Sequence, residues 1–447
     1  MASLAASAVG CAAEMGGGGD STSPSIEGRL ELVMVGDGVT SHAEYFLSTP
    51  ARGDRWLRLD FAAHPELTGV HDTGNGEAHF HRPGDTNVRL QGDYLDEDTL
   101  AVTALEDTQP DDQGGVAIVR GALIAPTPKK VAIILANFTD DASQPLTQDG
   151  ARALVFGAAT STNAYYQEQS FGARSLTGIQ RADGDVFGWF PINASRTTCD
   201  YVGWGNLARA AAQAAGVNLT GYAHVIHYFP RSPNCGWSGV GQLPGRYTWI
   251  NGSSSSTIAH ELGHNFGVHH ASSLTCLDSA GARVSISGSC TSSEYGDPYD
   301  VMGRGYRHMN AYQKGRLGFL EAANTVTAPA GGTFTIAPLE QKATGAQVLR
   351  IPIRATAPPL YYYVEFRQPS VFDAFAAGSP AITGVIIHRS PDYATLARTQ
   401  LIDLTPATTS FNDAPLAVGR TFTDGVAAIA ITLTALTPAG ATVQVVQ

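Results

Sequence analysis

Residues 260 to 270 read His-Glu-Leu-Gly-His-Asn-Phe-Gly-Val-His-His, an HExxHxxGxxH string. His260 and His264 stand four apart, so on a helix they share one face and both imidazoles can meet a single cation. Glu261 is rotated by about a third of a turn from His260, which frees its carboxylate to act as a general base on a water molecule. Gly267 follows His264 by three residues, where a helix that must stop needs a residue tolerant of the left-handed conformation. A chain turned there can bring His270 back to the same cation. Three neutral nitrogens with one position open is the arrangement of a catalytic rather than a structural zinc. His269 competes for the third place, but the spacing favours His270. The short HExxH string alone would also fit an amphipathic helix carrying two surface histidines; the extended string does not.

A second signal lies downstream, where Tyr299-Asp300-Val301-Met302-Gly303 sets a methionine in a tight, glycine-containing turn. A lone methionine is ordinarily core filler. Behind an extended zinc motif, Met302 reads as the Met-turn that lies below the metal in metzincins. With HELGHNFGVHH, the stretches GDPYDVMG (296 to 303), MNAYQKGRLGFL (309 to 320) and AYYQEQSFGARSLTG (164 to 178) make the chain resemble the gametolysin family of metzincin zinc metallopeptidases. The resemblance is specific over about 131 to 320 and looser beyond. It implies a secreted zinc endopeptidase with His260, His264 and His270 as ligands and Glu261 as base. Precursors of that family can be held latent by a propeptide cysteine on the zinc. No cysteine occurs between Cys11 and Cys199, so that device is not expected here.

The expected reaction is hydrolysis of peptide bonds in proteins, with zinc polarising the scissile carbonyl and Glu261 shuttling a proton from water to the leaving amine. Tyr306, close after the Met-turn, is the candidate for stabilising the developing negative charge, with His308 behind it. The rival reading is a catalytically idle, metzincin-like adhesin or matrix-binding protein with a structural zinc. Retention of Glu261 argues against it, because a structural site has no use for a base at that position. A zinc amidase or deacetylase is a second rival, which the family resemblance disfavours. Calcium is possible in an exported metzincin but is not indicated, since no contiguous acidic loop of EF-hand type is present.

These residues need a scaffold, and 447 residues suffice for several cores. The formal net charge of −12 and the absence of an arginine-rich run exclude nucleic acid as a partner. The expected fold class is an α+β metzincin-like catalytic domain, a twisted mixed sheet plus the active-site helix. A small all-β, OB-like domain precedes it and a C-terminal β-sandwich follows. The boundaries read as 1–25 signal or lipoprotein-like segment and flexible tether, 26–128 N-terminal β domain acting as propeptide or accessory, 129–322 zinc peptidase domain, and 323–447 sandwich. Within the third unit the pattern predicts a buried strand from Lys130, helix near Gln148 to Gln169, an alanine-rich helix near Asn206 to Ala215, and the zinc helix opening near Ser256. The strand and loop around Gly236 to Ile250 are candidates for a rim against which an extended substrate adds as a strand.

Ala-Val-Gly-Cys11 resembles a bacterial lipoprotein processing box, so the expected location is extracellular or the cell envelope, with membrane attachment only through lipid on Cys11. Nothing in the sequence demands more than a monomer. The other cysteines, Cys199, Cys235, Cys276 and Cys290, allow three pairings, and chain order suggests Cys199 with Cys235 and Cys276 with Cys290. Metal ligation by His79 and His81 and a latent-state zinc contact by Asp85 are weaker readings. Glu365, Arg367, His388 and Asp424 look functional in isolation but suit buried pairs in a sandwich.

Overall fold

A computed structural model describes residues 25–53, 55–69, 84–108, 126–157, 159–252, 254–353, 356 and 359–447. His79, His81 and Cys11, and with them the metal and lipid readings, lie outside the described residues. The molecule is mixed α and β, mostly sheet. No helix among the described residues is long and apolar enough to cross a membrane.

The first sheet has eleven strands. Towards one end of it lies β6 (Lys129–Asn137), whose run Val-Ala-Ile-Ile-Leu-Ala is buried on both faces. Such a continuous apolar run belongs to a parallel strand covered on both sides, and β6 is parallel to β7 (Leu176–Thr177), β8 (Asp185–Pro191) and β9 (His224–Tyr228). Alternation sorts its side chains. Val131, Ile133 and Leu135 share a core with Ile226, Tyr228, Ile258 and Leu262, while Ala132, Ile134 and Ala136 share another with Tyr201, Trp204, Ala208 and Ala212. Helices α2 (Thr162–Gln169) and α4 (Ser255–Phe266) therefore lie on one face and α3 (Tyr201–Ala214) on the other.

Expected helix boundaries shift for local reasons. The stretch from Gln148 to Gln169 is not one helix: α1 (Gln148–Arg152) widens into a turn of π-helix over Ala153–Gly157, and α2 starts afresh where the Ser161 side chain accepts the Ala164 amide. Helix α3 begins five residues earlier than Asn206 because Asp200 caps it through the Gly203 amide. The cap of α4 is Ser254, accepting from Thr257, not Ser256.

Upstream of β6, strands β1 (Ser25–Gly36), β2 (Ser41–Ser48), β3 (Leu57–Asp60), β4 (Thr86–Asp96) and β5 (Thr99–Asp107) close a ring in the order β1-β2-β3-β5-β4-β1. Leu30, Leu32, Leu47, Leu57, Val88, Leu90 and Leu100 fill it. The ring joins the central sheet through β1. Its C-terminal half pairs antiparallel with β10 (Gly239–Gln242), with Val33 opposite Gln242, Met34 opposite Gly241 and Val35 opposite Val240. Strand β11 (Tyr247–Ile250) then connects β10 to β9. The expected substrate rim must be corrected at this point: the outer edge of β10 over 240–242 is already paired with β1, and no further strand can add there.

Directly after His270 the chain enters β12 (Ala271–Leu277), which pairs with Ser289–Ser293 and, in parallel, with Thr399–Ile402. The resulting nine-stranded sheet also holds Val348–Ile353, Leu360–Phe366 and Gly384–Pro391. It packs on a four-stranded sheet containing Ile429–Thr437 and Gly440–Val446 through Leu349, Val364, Ile387, Ile431 and Val443. Two disulfides, Cys199–Cys235 and Cys276–Cys290, form in the pairing that chain order suggests. The second ties β12 to its neighbour Ser289–Ser293.

The ring and the central sheet share apolar contacts as well as a strand. Trp56, next to β3, packs on Phe46 of β2 and on Tyr247 and Trp249 of β11. Trp56→Ala is expected to cost about 3–5 kcal/mol, seen as a lower denaturant midpoint by circular dichroism; an unchanged midpoint would mean that the two parts do not stabilise each other through this contact.

Candidate active site

Helix α4 positions the first two histidines. It ends at Gly267, whose φ of 102° only glycine adopts without strain, with its amide bonded back to the Gly263 and His264 carbonyls. The reversal brings His270 onto the helix, and His260, His264 and His270 each offer a ring nitrogen within 4.8 Å of the others. The Nε2 atoms of His264 and His270 stand 3.0 Å apart.

The other ring nitrogen of each histidine is held. His260 Nδ1 donates to the Val301 carbonyl at 2.8 Å and His264 Nδ1 to the Val268 carbonyl at 2.9 Å. A carbonyl can only accept, so Nδ1 carries the proton and Nε2 keeps a lone pair. His270 Nδ1 is engaged by the Glu294 carboxylate at 2.7 Å. Burial pushes His260 down to about 4, against the Val301 contact that favours its protonated form. Burial, reinforced by the two neighbouring histidines, holds His264 far below its ordinary value. Neutral imidazoles are what a metal requires. Two nitrogens bound tetrahedrally to one zinc at about 2.0–2.1 Å stand about 3.3–3.4 Å apart, close to the observed separation. The donor set and its geometry fit zinc.

His269 does not compete. Its Nδ1 accepts the His270 amide at 2.6 Å, and the three-nitrogen group with His260 and His264 uses His270. Met302 is fully buried beneath the helix, its sulfur 2.6 Å from where a Cβ on Gly263 would stand. Only glycine there lets the turn come so close. The same turn ties the site together: the Val301 carbonyl takes His260, and the Met302 carbonyl takes the Ala271 amide beside His270.

Above the histidines lies a cleft of about 450 Å³ lined by Gly36, Gly239, His260, Glu261, Tyr295 and Tyr306 among others. Burial alone pushes the Glu261 carboxyl well up from its ordinary value. A dication at the histidines would oppose that rise. Tyr306 stands at the cleft, its ring stacked on Tyr165 and its hydroxyl directed to the Thr160 carbonyl at 3.4 Å. His308 faces the interior instead, between Glu168 at 2.9 Å and Lys314 at 3.0 Å. That placement removes it from the role suggested by its closeness to Met302. Asp85 bonds Arg29 on an exposed face and is not brought to the histidines.

Four residues near the site escape motif reading. Tyr295 lies with its ring centroid 4.1 Å from that of His270. Glu294 holds His270, and Ser41 and Arg398 in turn hold Glu294. Glu294 and Tyr295 directly precede GDPYD, but they carry no fixed spacing to the zinc helix that one sequence could betray. Ser41 and Arg398 come from distant parts of the chain.

The model of the gametolysin peptidase family, M11, matches residues 130–358. The chain belongs to the gametolysin family. Membership makes it a peptidase, and the family's metal-dependent chemistry agrees with the histidine cluster just described. No curated protein matches the chain. A solved structure described as a chaperone–substrate complex aligns at 15% identity over 44% of this chain and 28% of its own, with a TM-score of 0.24. So slight a likeness carries no argument about fold or role.

The zinc-free chain should take up one zinc and unfold at a higher temperature with it; at a free zinc concentration of a hundred times Kd the gain is about 2.7 kcal/mol. His264→Ala should show no such shift at the same concentration, as read by thermal unfolding beside elemental analysis. Equal shifts in both proteins would place the metal elsewhere.

Proposed function

We propose that this gametolysin-family member is an exported zinc metalloendopeptidase in which His260, His264 and His270 hold the metal and Glu261 is the general base. The observation that carries this reading is the convergence of three imidazoles, each with Nδ1 engaged, beside a buried carboxyl group in an open cleft. Export is supported by two disulfides, which persist in oxidising surroundings.

Bound zinc supplies Lewis acidity and lowers the pKa of water towards neutrality. The chain's own groups do the rest. Glu261 takes the proton from the attacking water and returns it to the leaving amine. Burial favours its protonated form and a bound dication opposes that, so the balance of the two sets its strength as a base. The substrate peptide runs in the cleft past Gly239, whose strand is paired with β1 only from residue 240 onward, and Tyr306, which lines the cleft, is the candidate donor to the carbonyl oxygen as charge develops. Met302 supports the histidines from below and takes no part in the proton transfers.

Glu261→Gln should retain one zinc per chain and lose cleavage of an unstructured protein such as casein by at least about a hundredfold. A chelator should abolish cleavage by the parent. Undiminished cleavage by the zinc-bound Gln variant would end the assignment of Glu261 as base.

A further inference from the structure

Glu294 is nearly fully buried and makes four contacts from three directions. Its Oε1 meets His270 Nδ1 at 2.7 Å and Arg398 Nη2 at 2.7 Å, and it also accepts the Ser41 hydroxyl. Its Oε2 accepts the Ser41 amide at 2.8 Å. Ser41 opens β2, on the hairpin that β1 carries alongside β10, and Arg398 precedes the strand Thr399–Ile402 that pairs in parallel with β12. The N-terminal ring, the segment after the zinc helix and the C-terminal β region therefore meet on one carboxylate.

The other two histidines are oriented by neighbours local to the helix and the Met-turn, and both partners are backbone carbonyls. Of the three Nδ1 atoms, that of His270 meets a carboxylate. A carboxylate accepting the Nδ1 proton fixes the ring's orientation and tautomer and makes Nε2 more basic towards a metal. A carboxylate could also swing away; here a serine and an arginine occupy the rest of its acceptor positions and prevent that.

We propose that Glu294 is a positioning residue for the third metal ligand, and that Ser41 and Arg398 act on the metal through it. The parts of the chain on either side of residues 129–322 then set zinc affinity without touching zinc. This rests on the zinc reading of the three histidines. It also gives the β1–β2 hairpin a task beyond packing: its Gly36 and Gly38 line the cleft, and its Ser41 holds Glu294.

The test measures zinc affinity of the full chain by competition with a chromogenic chelator. Glu294→Gln keeps the shape and loses the charge, and should weaken zinc about 10- to 100-fold. Ser41→Ala and Arg398→Met should each weaken it by a smaller factor. The decisive comparison is made in a His270→Ala background, where Glu294→Gln should cause no further loss; a residue acting only through general stability would weaken zinc equally in both backgrounds. Equal loss in the two backgrounds, or parent-like affinity in Glu294→Gln, would overturn the proposal. A parent chain that takes up no zinc would overturn the zinc reading itself, and this inference with it.

Discussion

Three imidazoles crowded within 4.8 Å of one another cannot all be protonated, and a neutral ring left to itself could present either nitrogen. The fold has to remove both freedoms. It buries the rings, which disfavours the charged forms, and it places one acceptor at each Nδ1. Much of the architecture follows from where those acceptors come from. The Val268 carbonyl is available because α4 stops at Gly267 and reverses; the Val301 carbonyl is available because the Met-turn lies tight against Gly263; Glu294 is available because the chain after β12 returns alongside it. A helix longer by one turn would carry His270 away from the cluster.

The Met-turn is held from below by an ionic network. Asp300 accepts the Met302 and Asn310 amides, both at 2.7 Å, and Asp297 bonds His388 at 2.8 Å. Nearby, Glu365, Arg367 and Asp373 are fully buried, with Arg367 bridging the two acids at 2.8 and 2.6 Å, and Asp373 accepting the His308 amide. Burying so much charge is costly unless every member is paired, and for stability alone an apolar core would serve as well. What such a network supplies is direction: it fixes the backbone of 297–310, whose carbonyls and sulfur support the histidines. His308, Glu340 and Asp373 come close enough to suggest a metal group, but Lys314 and Arg367 already provide the cations there.

What could be read in the sequence, and what could not, divides by range. His260, Glu261, His264, Gly267, His270 and Met302 are legible because their relations are set by helical periodicity and by one turn. The disulfide partners are legible because each pair is a neighbour in chain order. The broken helix between Gln148 and Gln169 was hidden because no proline marks the break and only the Ser161 cap marks the restart. Glu294 was hidden for another reason. Its partners Ser41 and Arg398 lie 253 residues before and 104 after it, and no local pattern encodes a contact made by the meeting of two sheets. His308 misled in the opposite sense, since closeness in sequence to Met302 suggested the cleft while Glu168 and Lys314 hold it inside.

The pairing of β1 with β10 shapes what the cleft can accept. An uncovered β10 would present a row of unpaired amides and carbonyls, which is attractive to a substrate and equally attractive to another chain. Strand β1 closes that edge over 240–242 and leaves Ser238 and Gly239 open beside Glu261. Glu31 and Gln242 make the junction specific, with the Gln242 amide donating to the buried Glu31 carboxyl at 2.6 Å. On the proposed function, a substrate finds unpaired backbone only along the short stretch next to Glu261, and the rest of the cleft is bounded by Gly36 to Gly38 on one side and Gly303 to Tyr306 on the other. On that same reading, recognition rests on side chains lodged between those two loops rather than on a long β-ladder, and the β1–β2 hairpin, joined to His270 through Glu294, is a wall of the cleft.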